Sequence, residues 1–357
     1  MFNSNIESIT PYTPGQSIAA IQEKYNITTI IKLASNENPL GPAATLQDIS
    51  PTVEHYPDYT THPIIPALAH QFNITPEQFI LGNGSDEILQ LIALAIISPG
   101  DEILSSTCTF SEYKFVAQIT GAKYIEAPMT DYTYDIQALI DHVTPATKIV
   151  FIANPNNPTG TYVSHADIVA LLNHLSPTTL LVLDEAYIEY STASDYPDSL
   201  HLINMYPNVL ITRTFSKIYG LAALRVGYAM ANERIIQGLQ KVRQPFNVNS
   251  VALDCAALAL KNTSFVQASI QNNIEGRAFL TNALAYLAVT IPDAQGNFLY
   301  IDFHDFDGVA LCESLLKQGI IVRSMASFGH PQAIRVTIGT PHQNKAFIKA
   351  LLLCLKK

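Results

Sequence analysis

From about residue 80 onward, short continuous apolar runs alternate with segments that carry helical spacing. Phe79–Leu81 is apolar, the turn GNGSDE (82–87) follows, and then Ile88, Leu91, Ile92 and Ala95 recur at intervals of three and four. That spacing predicts an amphipathic helix. Lys148–Ala153 (KIVFIA) and Leu180–Leu183 (LLVL) are apolar almost throughout, the pattern of strands covered on both faces. Asn208–Thr214 and Val226–Ala231 are two further strand candidates. Strands alternating with helices predict an α/β layer architecture.

The pattern changes after Gln240. Val251–Leu260 and a stretch around Ala278–Leu287 are helical, and Phe298–Phe303 (FLYIDF) is a strand. Val309–Lys317 is a helix stopped by Gly319, and Ile320–Arg323 and Ile334–Ile338 are short strands. Phe347–Leu355 is a last amphipathic helix with Lys356 and Lys357 at its end, where cations suit the helix dipole. This tail predicts a smaller α+β domain over 266–357, behind a large domain over 51–265. Residues 1–50, rich in Pro, Asn and Thr, predict an N-terminal arm that forms part of the small domain.

Composition sharpens this picture. A chain of 357 residues exceeds what one core commonly holds. Hydrophobic residues at 48% against 14% charged exclude a disordered chain and leave apolar surface for a subunit interface. The net charge of −10 argues against a nucleic-acid partner. No apolar run nears the length of a membrane span, and the first residues carry no signal-peptide pattern. Four scattered cysteines predict reduced thiols in a cytoplasmic protein, and the ten histidines show no metal-ligand spacing.

Polar groups in an open α/β sheet act at the carboxyl ends of its strands. Four predicted strand ends carry clusters: GNGSDE (82–87), NPNNPTG (154–160), DEAY (184–187) and TFSK (214–217). A lone Lys is ordinarily a surface charge. Lys217, however, sits among Phe215, Ile218 and Tyr219, and apolar surroundings favour a nucleophilic amine suited to Schiff-base chemistry. Asp184 is either a turn residue or a buried carboxylate for a cationic ring nitrogen, the partner a pyridoxal phosphate (PLP) ring needs. Tyr187 and Asn157 are placed to bond the ring oxygen. Arg225 supplies a fork for phosphate, with Thr214 and Ser216 as hydroxyl donors. Gly82 and Gly84 begin a dinucleotide fingerprint, but Glu87 stands where its third glycine belongs. That weakens a nicotinamide-dependent oxidoreductase while leaving a helix N-terminus for phosphate at Ser85 and Asp86.

With Asp184 and Lys217 in NPNNPTG, DEAY and FSKIYGLAALRVGY, in that order and spacing, the sequence resembles the fold-type-I PLP-dependent aminotransferases. PYTPG (11–15), KLASNENPLGP (32–42), HYPD (55–58), TFSEY (109–113) and VRSMASFGHPQAIRVTIGT (322–340) make it most similar to the branch acting on histidinol phosphate. The resemblance spans residues 10–345 and implies a mostly parallel seven-stranded sheet between helices, plus a smaller α+β domain. It implies Lys217 as the covalent anchor and proton carrier, Asp184 on the pyridine nitrogen, and Asn157 and Tyr187 on the ring oxygen. Phe110 would stack on the ring. Ser85, Asp86, Thr214, Ser216 and Arg225 would hold the phosphate, joined by Tyr56 from the other subunit of a homodimer. Arg335, Arg323, Tyr12 and Asn36 would bind substrate. The implied reaction is a ping-pong exchange between histidinol phosphate and 2-oxoglutarate, with aromatic amino-acid transamination as the alternative. Cys108, Ala223 and GTPHQN (339–344) depart from the family pattern.

Overall fold

Phe79–Gly82 (β1) opens the main sheet and runs into the helix Ser85–Ile96 (α1). Glu102–Ser106 (β2), the helix Glu112–Thr120 (α2) and Lys123–Ala127 (β3) follow. Thr147–Ala153 (β4), Leu180–Asp184 (β5), Val209–Thr214 (β6) and Gly227–Ala231 (β7) complete it. The protein is seen in a computed structural model that describes residues 4–7, 9, 18–51, 53–58 and 61–356. The seven strands lie in the order β1-β7-β6-β5-β4-β2-β3. Only β7 runs against its neighbours, and every other pairing is parallel. The mostly parallel sheet expected from the sequence is present.

Alternation explains why these strands read as unbroken apolar runs. Val150 and Ile152 enter one hydrophobic cluster, while Ile149 and Phe151 enter the cluster on the other face. Successive side chains of a strand point to opposite faces, so a strand buried on both needs apolar residues at each position. Full burial of each such side chain contributes about 1.5–3 kcal/mol. β2 and β3 were not evident in the sequence for the converse reason. The EILSS of β2 is wholly buried yet polar at three positions, and its Ser105 hydroxyl donates to the Phe151 carbonyl. β3 is an edge strand with exposed Lys123 and Glu126, so it lacks an apolar run.

Ser250–Lys261 (α3) and the 22-residue helix Thr263–Leu284 (α4) lead to a second sheet. α4 runs through position 265, with Phe265, Val266 and Ile270 against the large core and Leu280 and Leu284 in a separate one. Phe298–Asp302 (β8), Gly308–Leu316 (α5), Arg323–Ser324 (β9), Ala333–Thr337 (β10) and Pro341–Leu355 (α6) follow. The strands form an antiparallel sheet in the order β8-β10-β9. α6 starts six residues before the apolar stripe at Phe347 because Thr340 and Gln343 form a capping box and Pro341 takes the first turn. The described part of the N-terminal arm contains regular structure. Ile18–Tyr25 is helical, and Ile31–Lys32 pairs in parallel with Ile320–Ile321. No helix among the described residues is long and apolar enough to cross a membrane.

Candidate active site

One cavity at the carboxyl edge of the main sheet is lined by Ser85, Asp86, Phe110, Asn157, Asp184, Tyr187, Thr214, Ser216, Lys217 and Arg225. The topology accounts for this convergence. β1, β4, β5 and β6 are parallel, so the turns that follow them all emerge at one edge. β7 is reversed, so its beginning arrives there instead and brings Arg225, in a left-handed conformation (φ 55°).

At one end of the cavity the groups are cationic or donating. The Arg225 guanidinium donates to the Ser216 hydroxyl (3.3 Å), the Ala222 carbonyl (3.1 Å) and the Asp86 carboxylate (3.1 Å). The Ser216 backbone N–H donates to the Thr214 hydroxyl at 3.1 Å. α1 begins beside them with its free N–H groups, and Gly84 caps it at φ 81°. A Cβ at Gly84 would collide with the Arg225 guanidinium, so the close approach of the Arg requires glycine there.

The other end is anionic and dry. Asp184 is 4% exposed. Its carboxylate accepts from the Tyr113 hydroxyl at 3.0 Å and the Ala186 N–H at 3.3 Å. Burial pushes its pKa up to about 6, against the bonds that favour the charged form. No cation among the described residues pairs with it. Lys217 is half-buried, donates to the Ser35 carbonyl at 3.2 Å and stands 5.6 Å from the centre of the Tyr187 ring.

Further contacts behind the lining come from segments near the two ends of the chain. Asn36 is buried and donates its amide to the Tyr187 hydroxyl at 3.0 Å. Arg335, on β10, donates to the Asn157 side chain and to the Ala34 carbonyl, with its guanidinium 5.3 Å from the centre of the Phe298 ring. Asn297 donates to the Asn36 carbonyl at 3.0 Å. Thr337 accepts from the Asn36 N–H at 2.9 Å and donates to its side-chain oxygen at 3.2 Å. Tyr113 and Thr337 fall within segments that carry the family resemblance, TFSEY and VRSMASFGHPQAIRVTIGT, but nothing there marks them as site residues, and Asn297 lies in none of the quoted segments. Their part shows only in these contacts.

Asn36 and Arg335 reach the lining only through these hydrogen bonds, and two further candidates neither line the cavity nor join them. Tyr56 is 80% exposed and stacks on Phe246 with ring centres 4.7 Å apart. Arg323 pairs in register with Arg335 across β9 and β10, but it does not line the cavity. Tyr12 lies outside the described residues.

Pyridoxal phosphate fits these residues. A buried carboxylate with no cationic partner suits a protonated ring nitrogen. An Arg fork beside a helix N-terminus suits a phosphate. Phe110, also in the lining, offers an apolar face, and Lys217 an amine.

Comparison with known proteins decides the family. The model of the aminotransferase class I and II family matches residues 28–351. The chain belongs to that family. This aminotransferase is 44% identical to the histidinol-phosphate aminotransferase of Moorella thermoacetica, over 97% of this chain and 91% of that one. It is 40% identical to the enzyme of the same name from Anaeromyxobacter, over 97% of each chain. Its structure is similar to a histidinol-phosphate aminotransferase from Sinorhizobium meliloti solved in complex with pyridoxal-5'-phosphate. The TM-score is 0.89 at 25% identity, covering 99% of this chain and 97% of that one.

Proposed function

We propose that the chain is a histidinol-phosphate transaminase of histidine biosynthesis, with pyridoxal 5'-phosphate as cofactor. It moves the amino group of L-histidinol phosphate to 2-oxoglutarate, leaving imidazole-acetol phosphate and L-glutamate. The observation that carries this reading is the run of full-length relatives near 40% identity that share that name, joined to a cavity with every group the chemistry needs.

When bound, the cofactor supplies a carbonyl that takes up amines and a protonated ring that draws electrons from the substrate α-carbon. Lys217 would anchor the cofactor through its amine and would take the proton from that carbon as general base. Asp184 keeps the ring nitrogen protonated. Asn157 and Tyr187 hold the ring oxygen, and Phe110 covers a ring face and excludes water. Arg225, Thr214, Ser216 and the N–H groups of Ser85 and Asp86 hold the phosphate, with Asp86 giving up its ion pair to Arg225. Arg335, supported by Asn36, Arg323 and Tyr12, takes the substrate phosphate in one half-reaction and the 2-oxoglutarate carboxylate in the other. A guanidinium fork serves either anion. The division into units near residue 265 belongs to this reading.

The enzyme acts as a cytoplasmic homodimer, with Tyr56 reaching the partner's cofactor phosphate. The exposed Tyr56–Phe246 stack, with Val53 and Leu46 also exposed, supports an interface on that face. Mixing Tyr56→Phe with Lys217→Ala subunits should restore activity, since one site of each mixed dimer is then intact. No gain on mixing overturns the trans arrangement. For substrate, steady-state kinetics with 2-oxoglutarate should give a far higher kcat/KM for histidinol phosphate than for phenylalanine or tyrosine. The reverse order makes the enzyme an aromatic aminotransferase.

A further inference from the structure

We propose that Tyr113 is a positioning residue for transamination: its hydroxyl fixes the Asp184 carboxylate as an oriented anion facing the cofactor ring nitrogen. This deepens the reading of Asp184 given above and rests on it.

Tyr113 lies on α2 and is completely buried. Its ring is stacked on Phe151 of β4, with centres 4.6 Å apart and planes at 4°. It also stands edge-on to Phe110, at 5.7 Å and 89°. Packing alone would be served by phenylalanine, because a hydroxyl buried without a partner is costly. The hydroxyl here has a specific partner, Asp184, at 3.0 Å. Burial and the charge of Asp184 both raise the Tyr113 pKa, so the phenol stays protonated and acts as a donor. The groups facing Asp184 come from four directions: Tyr113 from α2, Thr212 from β6, the Ala186 N–H beyond β5, and Asp86 from α1. Tyr113 heads those that favour the anion, while burial and Asp86 oppose it. The same ring thereby ties two cofactor contacts together, since its edge also meets Phe110.

The test uses Tyr113→Phe, which keeps the ring and its two aromatic contacts. Dissociation constants are measured by equilibrium dialysis for pyridoxal phosphate and for its deaza analogue, in which the ring nitrogen is replaced by carbon. The expected result is about a tenfold loss of affinity for pyridoxal phosphate, the scale of a hydrogen bond to a charged group. No loss is expected for the analogue, which has no nitrogen for Asp184 to meet. An equal loss for both ligands assigns Tyr113 a merely structural role and overturns the proposal, as does no loss for either. The underlying reading fails separately: wild-type protein that binds both ligands equally shows that Asp184 does not meet the nitrogen. Should Tyr113→Phe not fold, the change is made in an Asp184→Ala background, where no buried carboxylate loses its donor. Tyr and Phe should then bind pyridoxal phosphate equally, and a remaining difference overturns the proposal.

Discussion

The cofactor cup and the wall behind it are built in opposite ways. The cup takes its groups from turns at one edge of a single sheet, within short contiguous motifs such as DEAY and TFSK. The wall is stitched from positions far apart in the chain: Asn36 to Tyr187, Arg335 to Asn157, Asn297 to Asn36, and Thr337 to Asn36. In the cup, backbone pairing sets the spacing of chemical groups before any side chain acts. In the wall, side-chain hydrogen bonds between sequence-distant segments set it. On the proposed assignment of roles, chemistry would rest with the rigid sheet, and selection among substrates with contacts that single substitutions can retune.

The sharpest way to break this division is Lys217→Ala. It should cut transamination by more than about 10⁴-fold, since nucleophile and base are lost together, with little change in melting temperature. Rates within a hundredfold of wild type would remove Lys217 from the cup. Asp184→Asn should lower kcat by about a hundredfold or more, because an amide cannot hold a protonated pyridine.

The same Asp184 variant makes a prediction of opposite sign for stability. Burial raises the Asp184 pKa to about 6 in the folded protein, whereas an Asp in the unfolded chain titrates near about 3.9. Between these values the folded state holds the extra proton, so stability falls as pH rises through this window and stays lower above it. Cofactor-free Asp184→Asn should therefore melt a few degrees above wild type at pH 8 and level with it near pH 4. Calorimetry at the two pH values checks this; a variant no more stable at pH 8 contradicts it.

On the wall, Arg335→Ala should raise KM for both histidinol phosphate and 2-oxoglutarate by about ten- to a hundredfold, the loss of charge-assisted bonds. Cofactor affinity should hold. A loss confined to one substrate would separate the two anion sites. Smallest of all, Thr337→Val removes both bonds to Asn36 and should cost about 1–2 kcal/mol by urea unfolding. Turnover should change only a few-fold, and a collapse of activity would place Thr337 in the chemistry.

The contrast also explains what could be read from the chain. β4 and β5 were legible because burial on both faces demands apolar residues along their central positions, and β6 through its apolar start at Val209–Ile211. GNGSDE, DEAY and TFSK stood out because polar residues directly follow such runs. β2 was hidden by Glu102, Ser105 and Ser106, whose burial is made tolerable by partners such as the Phe151 carbonyl, invisible in one dimension. Tyr113 ends the TFSEY segment, yet its hydrogen bond to Asp184 reaches across 71 residues and no local pattern displays it. Thr337 and Asn297 were obscure for the same reason. Arg335 was placed by resemblance alone.

The reversed strand β7 has a consequence for how the enzyme keeps its cofactor through successive turnovers. Residues 215–226 leave β6 and re-enter the same sheet through β7, so Lys217 and Arg225 belong to one loop anchored at both ends. In the proposed roles, the covalent tether and the phosphate clasp would thus sit on one doubly anchored loop. Within each half-reaction, while Lys217 is free to move a proton, Arg225 would still hold the phosphate end. A rearrangement of Asn36 and Arg335 that admits the next substrate would then leave that leash in place.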